Sequence, residues 1–215
     1  MGSSKRSTII DLTKPLDASF IPYSTGNYID PPLEFSDWSS ISRDGFRVTR
    51  LSLGTQSGTH IDAPAHFLED GAWLEALLPD HLIGSYFLLS LPDAASFSDV
   101  VFLLKSYRAQ KILFLRTPEN QSAKLSGETM KKILSLPAVL LVLSGAIEIE
   151  DSGYFTFYRL VAGAAKFLVE DVDQKAAHTI SGNGEIFVFP LKLIGVSGAP
   201  CRVMARIQEL KTGEK

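Results

Sequence analysis

The chain has 215 residues, a formal net charge of −3, 45% hydrophobic residues and 21% charged residues. This composition is typical of a soluble globular fold and excludes a mostly disordered or low-complexity chain. The slightly acidic balance gives no electrostatic footprint for nucleic acid, and a single cysteine excludes an internal disulfide.

Short runs with strand or helix periodicity follow one another along the chain, without a regular βαβα alternation. We expect no targeting segment, because the apolar stretch at 9–12 is too short and too soon interrupted for a signal-peptide core. The most apolar run, residues 136–147, is shorter than the ~20 residues that span a bilayer and is expected to be buried strand. We therefore expect a cytoplasmic protein with no membrane partner. Strands are predicted at 8–12, 46–53, 82–91, 111–116, 138–143, 167–169, 186–189, 191–196 and 202–210, and helices at 98–106, 126–134 and 157–165.

These elements, about nine strands and three helices in mixed order, predict a mixed α/β domain with a partly closed sheet. We expect a single domain over residues 1–215. Residues 13–40 form a proline-rich arm in this interpretation, because prolines at this density do not fit a helix interior. The polar tail at 211–215 is expected to fray.

The most informative segment is residues 57–67, which hold two of the four histidines of the chain. In an extended strand His60 and Asp62 point to the same face, while Ile61 points into apolar packing. A proline then ends the strand, so that His66 can fold back towards the same place. An imidazole and a carboxylate on one face are a pattern for a first-row divalent metal. Spacing alone favours such a site and a surface hydrogen-bonded pair about equally.

This segment resembles the signature of the cyclase-like metal-dependent hydrolases, the family of bacterial kynurenine formamidase and isatin hydrolase. The family motif reads His-x-Gly-Thr-His-x-Asp-x-Pro-x-His, and residues 56–66 read Gln-Ser-Gly-Thr-His-Ile-Asp-Ala-Pro-Ala-His. The resemblance covers nearly the whole chain and implies a swivelling β/β/α cyclase-like fold. It also implies a homodimer or homotetramer, in which the N-terminal arm of one subunit helps to close its neighbour's site. Further matching segments are 9–12, 15–16, 70–71, 83–84, 113–117, 190–193 and 198–202.

The resemblance assigns roles to four residues that match the motif or its distal partner. It makes His60 and Asp62 metal ligands and His66 the general acid/base. Glu170 matches the distal carboxylate ligand, and we expect it to orient the metal or the attacking water as well.

Two positions depart from the family pattern, because Gln56 and Tyr158 stand where the family has histidines. A carboxamide oxygen is a weaker zinc ligand than imidazole, and a phenol with a reference pKa near 10 opposes ligation at neutral pH. These replacements disfavour a dinuclear zinc centre. One Zn²⁺ or Mn²⁺ ion, held by the motif's histidine and aspartate with His66 or Glu170, is the first alternative. In the second no metal is bound, and His66 acts as acid/base with Asp62 or Glu170 as its orienting partner. Gln56 and Tyr158 then bind substrate oxygens.

Aromatic residues in the arm are candidates for substrate contact. Phe20 and Trp38 are expected to line a pocket for a flat ring, in the same chain or in a neighbour, and packing at a subunit contact is the alternative. Three further residues are expected to be structural: His81, His178 on a surface loop, and Cys201 as a buried inert thiol.

Three functions remain open at this point, all with a small molecule as the partner. The favoured one is a hydrolase of a small amide, lactam or ester, in which a metal ion polarises the carbonyl and His66 moves the proton. By family analogy this would be a kynurenine formamidase-like, arylformamidase activity. The alternatives are a metal-independent cyclase, dehydratase or lyase acting on an aromatic or polyketide-like intermediate, and a non-catalytic ligand-binding protein.

Overall fold

The structure, a computed structural model, describes residues 7–208. The predicted strand end at 209–210 and the tail at 211–215 lie outside these residues. No helix in the described part of the chain is long and apolar enough to cross a membrane. The strands are β1 (Ser7–Asp11), β2 (Ser24–Thr25), β3 (Tyr28–Ile29), β4 (Glu34–Ser39), β5 (Val48–Ser52), β6 (His60–Asp62), β7 (Ile83–Ser90), β8 (Ile112–Arg116), β9 (Ser122–Leu125), β10 (Leu140–Ser144), β11 (Ala146–Ile149), β12 (Phe167–Glu170), β13 (Gly184–Pro190) and β14 (Gly198–Gln208). The α-helices are α1 (Ile41–Asp44), α2 (Phe97–Leu104), α3 (Gly127–Leu134), α4 (Thr156–Gly163) and α5 (Gln174–His178), and short 3-10 helices cover Pro64–His66, Leu74–Ala76 and Pro79–His81.

One eight-stranded sheet organises the molecule, in the order β1-β14-β13-β7-β8-β10-β12-β6. The central pairs β7–β8, β8–β10 and β10–β12 are parallel, whereas the outer pairs are antiparallel. The last strand, β6, also pairs with β14, so that all strands of this sheet except β1 close into a ring. The mixed sheet with its partial closure and few helices confirms the predicted fold class.

The core has two apolar layers, one on each face of the central parallel strands. On β8, Ile112 and Phe114 pack with residues of β6, β13 and β14. Leu113 and Leu115 face the other way and pack with apolar residues of α2, α3 and α4. Strands covered on both faces read as continuous apolar runs, which is why β8 and β10 are predictable from sequence.

Two predicted elements differ from the structure at glycines with positive φ. The predicted strand at 191–196 is wrong: Pro190 ends β13, and Gly195 turns the chain with φ 72°. The apolar run 136–147 is two strands rather than one, because Gly145 (φ 100°) separates β10 from β11. β2, β3, β4, β9 and β11 have no counterpart among the predicted strands, since they are short or lack long apolar runs.

Candidate active site

β6 presents its side chains to two different environments, as the two-residue period of a strand predicts. Ile61 is fully buried in the apolar core, whereas His60 and Asp62 point to a common polar cluster. Antiparallel pairing with β12 places Glu170 directly opposite His60, and β14 pairs with the other edge of β6. Backbone hydrogen bonds on both sides therefore fix the strand that carries the cluster.

The cluster consists of His60, Asp62 and Glu170. His60 Nε2 lies 3.6 Å from Asp62 Oδ1 and 3.3 Å from Glu170 Oε1. One nitrogen and two carboxylate oxygens lie within 4.8 Å of one another, as the ligands of a single metal ion would. Of the two groups that the sequence left open as third ligand, Glu170 belongs to this cluster and His66 does not.

Two further observations test whether these residues fit a cation. His60 Nδ1 lies 2.7 Å from the Gly58 carbonyl oxygen, which can only accept, so Nδ1 carries a proton and Nε2 faces the carboxylates. Such a second bond is the usual way in which a protein orients a ligating histidine. Asp62 Oδ2 is buried without a hydrogen-bond partner among the described residues. The three side chains therefore fit a divalent ion.

The electrostatics of the cluster favour positive charge at its centre. Burial acts to lower the pKa of His60, but the hydrogen bonds and negative charges of Asp62 and Glu170 outweigh it and raise this pKa well above its usual value. The same carboxylates that hold a proton on Nε2 would hold a divalent cation in its place.

His66 sits beside this cluster, at the end of the 3-10 helix that follows β6. Its Nδ1 lies 3.4 Å from Gln56 Nε2 and 3.3 Å from Ser197 Oγ. Gln56 Nε2 also lies 3.4 Å from Asp62 Oδ1. The hydrogen-bond partners of His66 within residues 7–208 are therefore Gln56 and Ser197, and not the carboxylates that the sequence suggested for a metal-free site.

Tyr158, on α4, adjoins Glu170 from the helix side. Burial, followed by the negative charge of Glu170 and a hydrogen bond to it, raises the pKa of Tyr158 far above its usual value. The ring stacks on Phe67 with centroids 4.9 Å apart. Tyr158 is thus a neutral phenol at physiological pH, and its hydroxyl can donate to Glu170 or to a substrate.

These groups open onto a cavity of about 660 Å³. Phe20 lies on its wall. Trp38 is not among the residues that line it in the same chain and is 67% exposed on β4. Residues of the site on the cavity wall are Gln56, His60, His66, Tyr158 and Glu170.

The arm supplies one wall of the cavity and is tied to the site at its start. The backbone N–H of Lys14 donates to Thr59 Oγ1 at 2.9 Å, and its ammonium group forms an ion pair with Asp171. Thr59 Oγ1 in turn donates to the Asp171 carbonyl oxygen at 2.7 Å. The arm residues on the cavity wall are Phe20, Ile21, Tyr23, Thr25, Tyr28 and Asp30.

Sequence reasoning did not single out the aromatic wall opposite the arm. Phe67, Tyr154 and Phe155 line the cavity together with Tyr158. The run of four aromatic side chains between residues 154 and 158 was a usable signal, because small-molecule pockets are lined mainly by hydrophobic and aromatic side chains.

The three residues that we expected to be structural lie outside the cavity wall. His81 lies in a 3-10 helix, and His178 is exposed on α5 rather than on the predicted loop. Cys201 is buried, and burial together with the negative charge of Asp62 raises its pKa to about 12. The prediction of an inert thiol is consistent with this environment.

Comparison with known proteins decides the family. The cyclase family, described as "Putative cyclase", matches residues 10–176. This chain belongs to the cyclase family. The curated kynurenine formamidase of Bacillus cereus is 24% identical over 215 residues, covering 94% of this chain and 99% of that protein. That of Erythrobacter litoralis is 24% identical over 178 residues, covering 79% and 81%.

Solved structures share the fold at low sequence identity. Isatin hydrolase A from Labrenzia aggregata, bound to benzyl benzoate, superposes with a TM-score of 0.78 at 15% identity, covering 94% of each chain. A predicted metal-dependent hydrolase from Bacillus stearothermophilus superposes with a TM-score of 0.71 at 19% identity, covering 94% of this chain and 98% of that one.

Within the cyclase family, the two departures of this chain from the motif both face the cavity. Gln56 contacts Asp62 and His66, and Tyr158 contacts Glu170. Gln56 therefore hydrogen-bonds to the acidic cluster and Tyr158 lies beside it, and neither adds an imidazole to it.

Proposed function

We propose that this protein hydrolyses a small amide, lactam or ester with the assistance of one divalent metal ion. The observation that carries the proposal is the convergence of His60, Asp62 and Glu170 at a cavity that His66 also lines. The names of the relatives support this substrate class, because kynurenine formamidase denotes hydrolysis of a formamide and isatin hydrolase denotes hydrolysis of a lactam.

We propose Zn²⁺ or Mn²⁺ as the ion. One imidazole nitrogen and two carboxylates suit either, and the oxygen-rich set suits Mn²⁺ better than a set of three histidines would. When bound, such an ion supplies Lewis-acid polarisation of a carbonyl and a lowered pKa for water.

The remaining polar side chains handle the protons and oxygens of the reaction. Glu170 has a carboxylate at the cavity wall that can orient water, and Tyr158 offers a neutral O–H donor beside it. His66 presents its imidazole to the same space and is our candidate for the acid/base group named by the motif. All three groups line the same cavity.

The walls of the cavity favour a planar or aromatic substrate. Phe20 and Tyr23 come from the arm, and Phe67, Phe155 and Tyr158 come from later segments of the chain. Aromatic side chains on both walls suit a flat ring, because stacked and edge-to-face contacts add to the burial of apolar area.

We also propose that the chain self-associates through the ribbon formed by β4 and β5. Both strands are exposed along almost their whole length. Phe35 and Leu51 pair across the ribbon, and adjoining exposed apolar side chains mark an interaction site in a soluble protein. The family resemblance suggests a second copy as the occupant. The ribbon's large exposed apolar side chains are Phe35, Trp38, Val48 and Leu51.

The decisive experiment is elemental analysis of untreated protein, combined with a hydrolysis assay on aromatic formamides and lactams before and after chelation. We expect about one ion per chain, loss of activity on chelation, and recovery with Zn²⁺ or Mn²⁺. His60→Ala should abolish metal binding and activity, whereas His178→Ala, which changes an exposed histidine on α5, should affect neither.

A different outcome would support the metal-free alternative. If the protein contains no ion and its turnover resists chelation but is lost in His66→Ala, a cyclase, dehydratase or lyase replaces the hydrolase. Ligand binding without turnover of any tested compound would indicate a binding protein.

A further inference from the structure

The side-chain amide of Gln56 bridges a ligand of the candidate metal site and the neighbouring histidine. Its Nε2 lies 3.4 Å from Asp62 Oδ1 and 3.4 Å from His66 Nδ1. Its Oε1 accepts a hydrogen bond from Thr55 Oγ1 at 2.6 Å. The amide also packs on Gly198, where an added Cβ would lie 2.5 Å from Nε2. The carboxamide is therefore held in one orientation.

This orientation decides which ring nitrogen of His66 carries the proton. An amide nitrogen has two hydrogens to donate and does not accept. The Gln56 amide donates one hydrogen to Asp62 Oδ1 and the other to His66 Nδ1. Nδ1 must then accept, so the proton of the neutral imidazole is on Nε2. Ser197 Oγ does not determine the tautomer of His66, since a hydroxyl can donate or accept a hydrogen bond.

We propose that Gln56 is a positioning residue that fixes His66 as the Nε2–H tautomer. The consequence for catalysis rests on the proposed function. Nδ1 is occupied by Gln56 and Ser197, and Nε2 has no hydrogen-bond partner within residues 7–208. In this neutral tautomer His66, our acid/base candidate from the motif, is restricted to donating a hydrogen bond from Nε2–H to a substrate oxygen, because it has no free lone pair to take a proton from water. The carboxylate of Glu170 would then take that proton and return it to the leaving group.

Nuclear magnetic resonance tests the tautomer directly, without a substrate. Protein labelled with ¹⁵N-histidine is examined by long-range ¹H–¹⁵N correlation, and His66→Gln assigns the resonances. We expect a single Nε2–H tautomer for His66 in the wild-type protein loaded with Zn²⁺. A predominant Nδ1–H tautomer would overturn the inference before any positioning variant is made.

Two variants separate the contribution of the Gln56 amide from that of the Ser197 hydroxyl, the other group near His66 Nδ1. Gln56→Met keeps the length of the side chain but removes the donor, and should convert His66 to a mixture of tautomers. Ser197→Ala removes the hydroxyl and should leave Nε2–H in place. The opposite pattern, with Gln56→Met unchanged and Ser197→Ala shifted, would assign the role to Ser197. If the tautomer is as expected but no amide, lactam or ester is hydrolysed, the proposed function fails and the inference about Gln56 stands.

Discussion

Glu170 Oε1 lies 3.3 Å from His60 Nε2 because the two residues face each other across an antiparallel strand pair. They are 110 positions apart in the chain, yet no loop intervenes between either residue and the sheet. A site carried by paired strands is held more firmly than one carried by loops, which favours the close geometry that a metal ion requires.

We predict that Glu170→Gln weakens metal binding by more than about tenfold, because it removes a negative ligand from a set of three. Titration of chelated protein with Zn²⁺ measures the affinity. Glu150→Gln, which neutralises an exposed carboxylate elsewhere, is the matched control and should leave it unchanged. If Glu170→Gln and Glu150→Gln bind Zn²⁺ with equal affinity, Glu170 is not a metal ligand.

Tyr158→Phe should lower kcat by about 10²-fold, the typical cost of losing one oriented donor. The ring and its stacking on Phe67 are retained, so the free energy of unfolding should fall by only about 1 kcal/mol. Because the pKa of Tyr158 is raised, its phenol stays protonated as pH rises through the neutral range. We therefore expect no limb of the wild-type pH–rate profile to disappear in the variant. A normal kcat in Tyr158→Phe would exclude a donor role.

Gly145→Ala should destabilise the protein by about 2–4 kcal/mol, through backbone strain and overpacking together. The residue has φ 100°, and an added Cβ would lie 1.9 Å from Thr117 Oγ1. Gly163→Ala is the control, because an added Cβ meets nothing within 4 Å and α4 favours alanine. Thermal unfolding should show a Tm lowered by about 5–10 °C for the first variant. An unchanged Tm for Gly145→Ala would contradict the observed packing.

The sequence predicts those parts of the site that depend on neighbouring residues in the chain, and misses those that depend on contacts between distant residues. The shared face of His60 and Asp62 follows from the period of a strand, and is confirmed. The hydrogen bond between His66 and Ser197 joins residues 131 positions apart, and no local pattern encodes it. Glu170 was assigned to the site only from the family resemblance, because its position beside His60 depends on the register of β12 against β6.

The fold shows the same division between local and long-range information. β8 and β10 are predictable because burial on both faces makes them apolar throughout. β11 and the segment at 191–196 are not, because their conformations depend on where Gly145 and Gly195 turn the chain. A glycine in a sequence does not reveal the sign of its φ.

Native protein should resist alkylation at Cys201. With a pKa of about 12 the thiolate fraction at pH 8 is about 10⁻⁴, and burial limits access further. Iodoacetamide labelling followed by mass spectrometry should give almost no product in buffer and complete labelling in denaturant. The chain has one cysteine, so the signal is unambiguous. Rapid labelling of the folded protein would show that this strand opens.

The proposed self-association predicts a solution mass of two or four chains of 23.5 kDa. Light scattering during size-exclusion chromatography measures it. Trp38→Glu should lower the mass towards that of one chain, whereas Phe102→Glu, at a similarly exposed position on α2, should not. A monomeric wild-type protein would contradict the proposal.

The arm and β6 contribute to one cavity but are held in very different ways. β6 is paired with a strand on each side, whereas the strands of the arm wall at residues 20–30, β2 and β3, pair only with each other and lie outside the eight-stranded sheet. Mutational libraries confined to the arm should therefore retarget the enzyme to new ring systems while leaving its reactive centre intact. Natural sequence variation should follow the same pattern, with substitutions that change substrate specificity concentrated in the arm and few substitutions tolerated on β6.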